Sequence, residues 1–130
     1  ENLHSPHALA VDSRGRLFVG DRDNNRIQIF DQDGKLLDSW KQWSRPSGIF
    51  IAADDTMYVA DSESWGPDNP GWKKGIRIGS AKDGTVKYFI PDPSSKPGIA
   101  LAEGVSADAT GNVIYAAGQS STTVHKFVRK

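Results

Sequence analysis

The sequence predicts an all-β fold built from three repeated units of short antiparallel strands, and three observations predict it. Three segments align with one another without gaps: PHALAVDSRGRLFVGDRD from Pro6, PSGIFIAADDTMYVADSE from Pro46 and AEGVSADATGNVIYAAGQ from Ala102. Each consists of brief β-branched and aromatic runs broken by Asp, Asn and Gly, the pattern of hairpins. The starts lie 40 and then 56 residues apart, close to the roughly 40–50-residue period of β-propeller blades.

The elements follow in order. In the first unit, Leu9 to Asp12 is an apolar strand, turned by Ser13 to Gly15 into a second strand at Leu17 to Gly20. Arg26 to Phe30 (RIQIF) alternates polar and apolar residues, as a half-buried strand does. Asp33-Gly34 makes a tight turn into an outer strand at Lys35 to Trp40. The second unit repeats this with Ile49 to Ile51, Met57 to Ala60, Ile76 to Gly79 and Val86 to Ile90, interrupted by a Gly-, Pro- and Trp-rich insertion at Glu63 to Lys74. The third supplies Gly104 to Ala107, Val113 to Ala116 and Val124 to Val128. The expected blades are therefore about 6–43, 46–91 and 101–130, the last one strand short. In this alignment His7, Ser47 and Glu103 share one position, and Leu9, Ile49 and Val105 another. Gly15, Asp55 and Gly111 share a turn, followed by Leu17, Met57 and Val113, then Val19, Val59 and Tyr115.

Composition narrows the function. Sixteen basic and sixteen acidic residues cancel in a chain of 130, so no charge excess draws it to nucleic acid or anionic membrane. Basic blocks interleaved with aromatics are absent as well, which excludes a nucleic-acid reading. There is no cysteine, and hence no disulfide or thiolate metal site. No apolar stretch reaches the roughly 18–20 residues that span a bilayer. A phosphate-binding glycine loop, a nucleophile elbow and a helical metalloprotease histidine pair are missing too. A first residue other than Met, and an end on a third strand, predict a processed or partial product whose exposed blade faces are covered by a second copy or by a missing amino-terminal half. Two copies would give six blades.

The phrase GRLFVGDRDNNRIQIFDQDGK resembles the NHL repeat, so the fold class becomes an NHL-type β-propeller, three blades forming half of a six-bladed ring. Within that superfamily the first unit is similar to the lyase domain of peptidylglycine amidating enzymes. That domain cleaves peptidyl-hydroxyglycine to a peptide amide and glyoxylate with zinc held by three channel histidines. The resemblance of Pro6-His7-Ala8-Leu9 puts His7 where a zinc histidine sits. That of Asp21-Arg22-Asp23-Asn24-Asn25-Arg26-Ile27-Gln28 puts Arg22 on the catalytic arginine. Ala102-Glu103-Gly104 stands where the lyase has Pro-His-Asp, and the family's tyrosine and first zinc histidine belong to blades outside this chain. GIRIGSAKDG and AEGV are shared with bacterial relatives of unassigned function, for which a soluble, secreted or periplasmic setting is implied.

The residues themselves nominate a channel site. The first residue of each inner strand in a propeller faces the central channel, which brings together His7, Ser47 and Glu103. Imidazole and carboxylate suit zinc or a similar divalent ion, with His7 and Glu103 as ligands and Glu103 alternatively as a base. Arg22, as the group holding an anionic substrate, offers a planar fork to a carboxylate; the plainer alternative is an ion pair with Asp21 or Asp23. Trp65 and Trp72 in the insertion present flat contact surface for a small-molecule or peptide ligand, or simply pack on a neighbouring blade. Arg26 is expected to tie strands together, His4 to lie on a mobile terminus, His125 to point outward, and Trp40 and Trp43 to pack in a core. The Asp-rich turns read as hairpin chemistry, since they lack the spaced oxygens and acidic closer of a calcium loop. Two functions follow: a channel ligand site with metal-assisted lyase-like chemistry, or a non-catalytic scaffold that binds a protein or peptide partner.

Overall fold

In the computed structural model, which describes residues 2–94, 96–118 and 120–130, the regular elements are strands and two short 3-10 turns. The first sheet is β1 (Pro6–Val11), β2 (Leu17–Asp21), β3 (Arg26–Phe30) and β4 (Leu36–Trp40), paired in that order. The second is β5 (Gly48–Ile51), β6 (Thr56–Asp61), β7 (Gly75–Ser80) and β8 (Val86–Pro91). The third holds β9 (Gly104–Ala107), β10 (Val113–Ala117) and β11 (Val124–Val128). All pairings are antiparallel, and the inner strands β1, β5 and β9 stand side by side. Sheets in this radial sequence are propeller blades.

The hairpins form because their turns carry the right residues. Gly15, Asp55 and Gly111 have φ of 79°, 64° and 73°, the left-handed region that glycine enters freely and Asp tolerates. Asp12 accepts from the amides of Arg14 and Arg16, and Asp108 from that of Val113, closing the β1–β2 and β9–β10 turns as predicted. Asp55 accepts instead from the Ser13 hydroxyl and amide of the preceding blade, at 2.5 and 2.8 Å. Those bonds, the hydroxyl's first, hold its carboxyl below the usual carboxylate range.

Two apolar joints weld the blades. Between the first and second, Phe18, Ile27 and Ile29 meet Ile49, Ile51, Met57 and Val59, with Trp40 and Trp43 alongside. Between the second and third, Phe50, Tyr58, Ala60, Ile76 and Ile78 meet Val105, Ala107, Ile114, Ala116 and Phe127. Each blade thus presents one face to the blade before it and the opposite face to the blade after it.

The third blade departs from the gapless alignment. Its β9–β10 turn closes from Asp108 N–H to the Val113 carbonyl, one residue later than Asp12 to Arg16 or Ala52 to Thr56. Asn112 is therefore an extra turn residue, and β10 is displaced by one. Ile114, not Val113, takes the place of Leu17 and Met57; Ala116, not Tyr115, that of Val19 and Val59. A one-residue slip exchanges the two faces of a strand, so Ile114 and Ala116 are buried while Tyr115 faces solvent. The same register puts Gly118 where the other blades have Asp21 and Asp61. A Cβ there would lie 1.7 Å from the Ala100 carbonyl, so the incoming chain fills the space that a carboxylate fills elsewhere.

His125 also differs from expectation. It pairs opposite Ala116 and shares a face with Phe127, its ring stacked at 6.5 Å, and so is half-buried on the side toward the second blade.

Candidate functional site

The β2–β3 and β6–β7 connections and the segments leading into β1, β5 and β9 all open on one end of the blades, since alternate strands reverse direction. That end carries the candidate residues. His7 Nε2 and Glu103 Oε1, 96 positions apart, lie at 3.1 Å across the ends of the first and third inner strands, both partly exposed. Glu103 is placed by its own amide, which donates to the Ala117 carbonyl as the Ser47 amide donates to Ala60. Arg22 begins the 3-10 turn after β2, where its Nη1 lies 3.9 Å from Glu103 Oε1. His7, Arg22 and Glu103 therefore lie together at this end.

Ser47, expected beside them, is buried, and its hydroxyl is 2.6 Å from that of Ser62. It braces the β5 and β6 ends, its hydroxyl taken up by Ser62.

Three further charges complete the cluster. Glu63 lies 3.4 Å from Arg22 Nε and accepts from Arg45 Nε at 2.8 Å. Arg45 also donates to Asp23 at 2.8 Å, to Asn25 and to the Arg22 carbonyl, bolting the β2–β3 turn to the second blade. The Ser5 hydroxyl, then Arg45 and Arg22, hold the Asp23 carboxyl below its usual range against the opposing effect of burial. Asp23 and Glu63 each follow a buried Asp by two residues, Asp21 and Asp61. That shared acidic position was the available signal for Glu63; nothing in the repeat marked Arg45.

Arg22 is held differently from Arg45. Asp23, Glu63 and Glu103 surround it at 3.4–3.9 Å, and its buried Nε has no hydrogen-bond partner. Its charge is compensated, but that donor is unspent.

The buried carboxylates below organise the loops. Asp21 accepts from the His4 amide at 2.6 Å, from Asn24 and from Arg26 at 2.7 Å, so the segment before β1 is tied down and Arg26 links strands as expected. Asp61 accepts from the Ser44 and Ser64 hydroxyls at 2.7 and 2.5 Å and from the Ser64 amide at 2.8 Å. Asn69 donates to both serines, which fixes the insertion against the blade. Buried Lys74 donates to the Lys96 and Ile99 carbonyls, joining the insertion to the 92–101 connection. On this fixed loop Trp65 is 37 % and Trp72 42 % exposed; the Trp72 ring lies 5.3 Å from the Arg77 guanidinium carbon, with Phe89 also stacked on that cation.

Gly48 sets the spacing of the inner strands. A Cβ there would come within 2.3 Å of the Glu103 carbonyl oxygen, a backbone atom that cannot swing away. Gly48→Ala is expected to push β5 from β9 and cost about 1–3 kcal/mol, read as a lower denaturation midpoint. An unchanged midpoint would show that the strands have slack.

The zinc implied by the amidating-lyase resemblance asks for three protein donors. His7 and Glu103 are two; the neighbouring Arg22 is a cation, and among the described residues no three His, Cys, Asp or Glu side chains group as a metal set. These residues do not fit a zinc centre on their own. No helix among the described residues is long and apolar enough to cross a membrane.

The fold and its charged end define a β-propeller segment, three successive blades of a radial repeat. Residues 3–30 match the NHL repeat. NHL repeat-containing protein 3 of Homo sapiens is 53% identical over 58 residues, 42% of this chain and 17% of that protein. Protein lin-41 of Caenorhabditis elegans is 54% identical over 35 residues, 27% of this chain and 3% of the relative. Among solved structures, hydrazine synthase of Kuenenia stuttgartiensis superimposes with a TM-score of 0.70 at 22% identity, over 95% of this chain and 34% of that one. A putative 6-phosphogluconolactonase from Bacteroides uniformis gives 0.69 at 16% identity, over 100% and 38%. The chain thus spans less than a fifth of these curated relatives and little more than a third of the structural ones, whose likeness speaks to the fold.

Proposed function

We propose that this propeller segment binds a peptide at the loop end of the blades, Arg22 receiving a carboxylate of the ligand and Trp65 and Trp72 offering apolar contact. The observation that carries the reading is the state of Arg22. A guanidinium ringed by three carboxylates, none close enough for a short bond, can exchange part of that compensation for a bidentate ligand carboxylate. His7 and Glu103 border it and would take a ligand amide or amine. The exposed tryptophans open on the same end, on a loop already ordered by Asp61 and Lys74, so little entropy is lost when a ligand settles on them. Repeat proteins use such preformed faces for recognition. No reaction is assigned, because the lyase-like chemistry rests on a metal for which this chain gathers two donors.

Selection from a random linear peptide library displayed with free carboxyl termini tests the reading. Selected peptides should lose roughly 10–100-fold in affinity when their carboxylate is amidated, the worth of one charge-assisted bond. Arg22→Gln should cause a similar loss. Peptides retained equally by Arg22→Gln and by a Trp65→Ala/Trp72→Ala double variant would overturn it, as would a selection that yields none.

A further inference from the structure

We propose that Glu103 selects the last residue of the ligand, favouring a peptide whose carboxyl-terminal residue carries a cationic side chain, lysine or arginine. The proposal rests on the carboxylate-binding reading of Arg22 given above and narrows its ligand class. Charge at the loop end is unbalanced. Three carboxylates, Asp23, Glu63 and Glu103, face two guanidiniums, Arg22 and Arg45, with the imidazoles of His7 and His4 at the border. Arg45 makes short bonds to two of the three, Nη2 to Asp23 and Nε to Glu63, each 2.8 Å. Those two are spent on the scaffold; Glu103 is not. Its nearest guanidinium is that of Arg22, 3.9 Å away, and its closer partner at 3.1 Å is His7, whose ring carries no fixed charge. Among the described residues Glu103 Oε2 has no hydrogen-bond partner.

A ligand carboxylate that reaches Arg22 takes the guanidinium nearest Glu103 and brings a second negative charge beside it. Like charges at that range repel, the more so where both are partly buried. A cation on the ligand itself removes the conflict, with the carboxylate on Arg22 and the ammonium or guanidinium on Glu103. Because Arg22 Nη1 and Glu103 Oε1 are 3.9 Å apart, the two ligand charges must lie within reach of each other on one residue or its neighbour. A terminal carboxylate and the side chain of the same residue meet that requirement. The backbone that carries Glu103 is held on both sides. Its amide donates to the Ala117 carbonyl, and its carbonyl oxygen lies against Gly48, where a Cβ would come within 2.3 Å. The strand end therefore cannot draw back from an incoming anion, and the carboxylate stays where it discriminates.

Titration calorimetry tests this with one peptide selected for carboxylate-dependent binding, synthesised with lysine, norleucine or glutamate as its last residue. The wild type should bind the lysine form roughly fivefold more tightly than the norleucine form, the worth of about one partly exposed ion pair, and the glutamate form least. In Glu103→Gln the lysine preference should vanish. The norleucine form should then bind more tightly than it does to the wild type, because the repelling charge is gone. A merely structural role for Glu103 would weaken all three forms together, which overturns the proposal. Equal binding of the lysine and norleucine forms by the wild type overturns it too, as does a lysine preference that survives in Glu103→Gln. In each of these cases the Arg22 reading still stands if amidating the last residue weakens binding. If no selected peptide depends on its carboxylate, that reading fails and this inference fails with it.

Discussion

Trp43→Ala should be the most destabilising single truncation in the joint between the first two blades. The indole is fully buried, packed among Phe18, Ile27, Ile29, Met57 and Val59, and it touches the backbone at Gly79, where an added Cβ would stand 2.9 Å from the ring. Removing a buried Trp costs about 3–5 kcal/mol through lost transfer energy and the cavity left behind. Because native domains hold only roughly 5–15 kcal/mol in all, the melting temperature should fall on the order of 10–20 °C. The Trp43 Nε1–H, however, has no hydrogen-bond partner. Trp43→Phe should recover most of the loss, since it keeps apolar volume and removes a buried orphan donor. A calorimetric melt of the three proteins decides the point; equal losses for Phe and Ala would mean that the N–H is satisfied in solution.

Asp61→Ala should cost a comparable amount for an electrostatic reason. Asp61 is fully buried and compensates Arg77, whose Nη1 lies 3.4 Å away and whose hold on its proton burial already weakens against the pull of that carboxylate. Removing one partner of a buried pair leaves the other charge uncompensated and costs about 3–5 kcal/mol. The same change frees the Ser44 and Ser64 hydroxyls and the loop amides, so the insertion with Trp65 and Trp72 should loosen before the blades unfold. Hydrogen exchange at residues 62–74 should then rise above that of β6 and β7. Uniform exchange across these segments would show that the insertion does not depend on the Asp61 cage.

Much of this was open to reading along the chain. The hairpins of the first two blades, the turn shared by Gly15 and Asp55, and the role of Arg26 as a tie between strands depend on residues within about twenty positions of each other. Local alternation and turn chemistry specify them directly. The closeness of His7 and Glu103 was legible because a repeat places equivalent residues at equivalent points in successive blades.

The tertiary structure alone decided the rest. Asn112 lengthens the turn by one residue and shifts β10 by one, and only the pairing with β9 shows which side of that strand is buried. Ser47 sits at the same repeat position as His7 and Glu103, yet is consumed by Ser62, a partner just past the end of the next strand. Arg45 joins the charged end through contacts with residues 20 or so positions away on either side, and Arg22 is ringed by carboxylates from two connections and from the residue just before a distant strand. Strand identity is set by local pattern. Which side chains are spent on the scaffold, and which remain for a ligand, is set by neighbours that the chain brings in from far along its length.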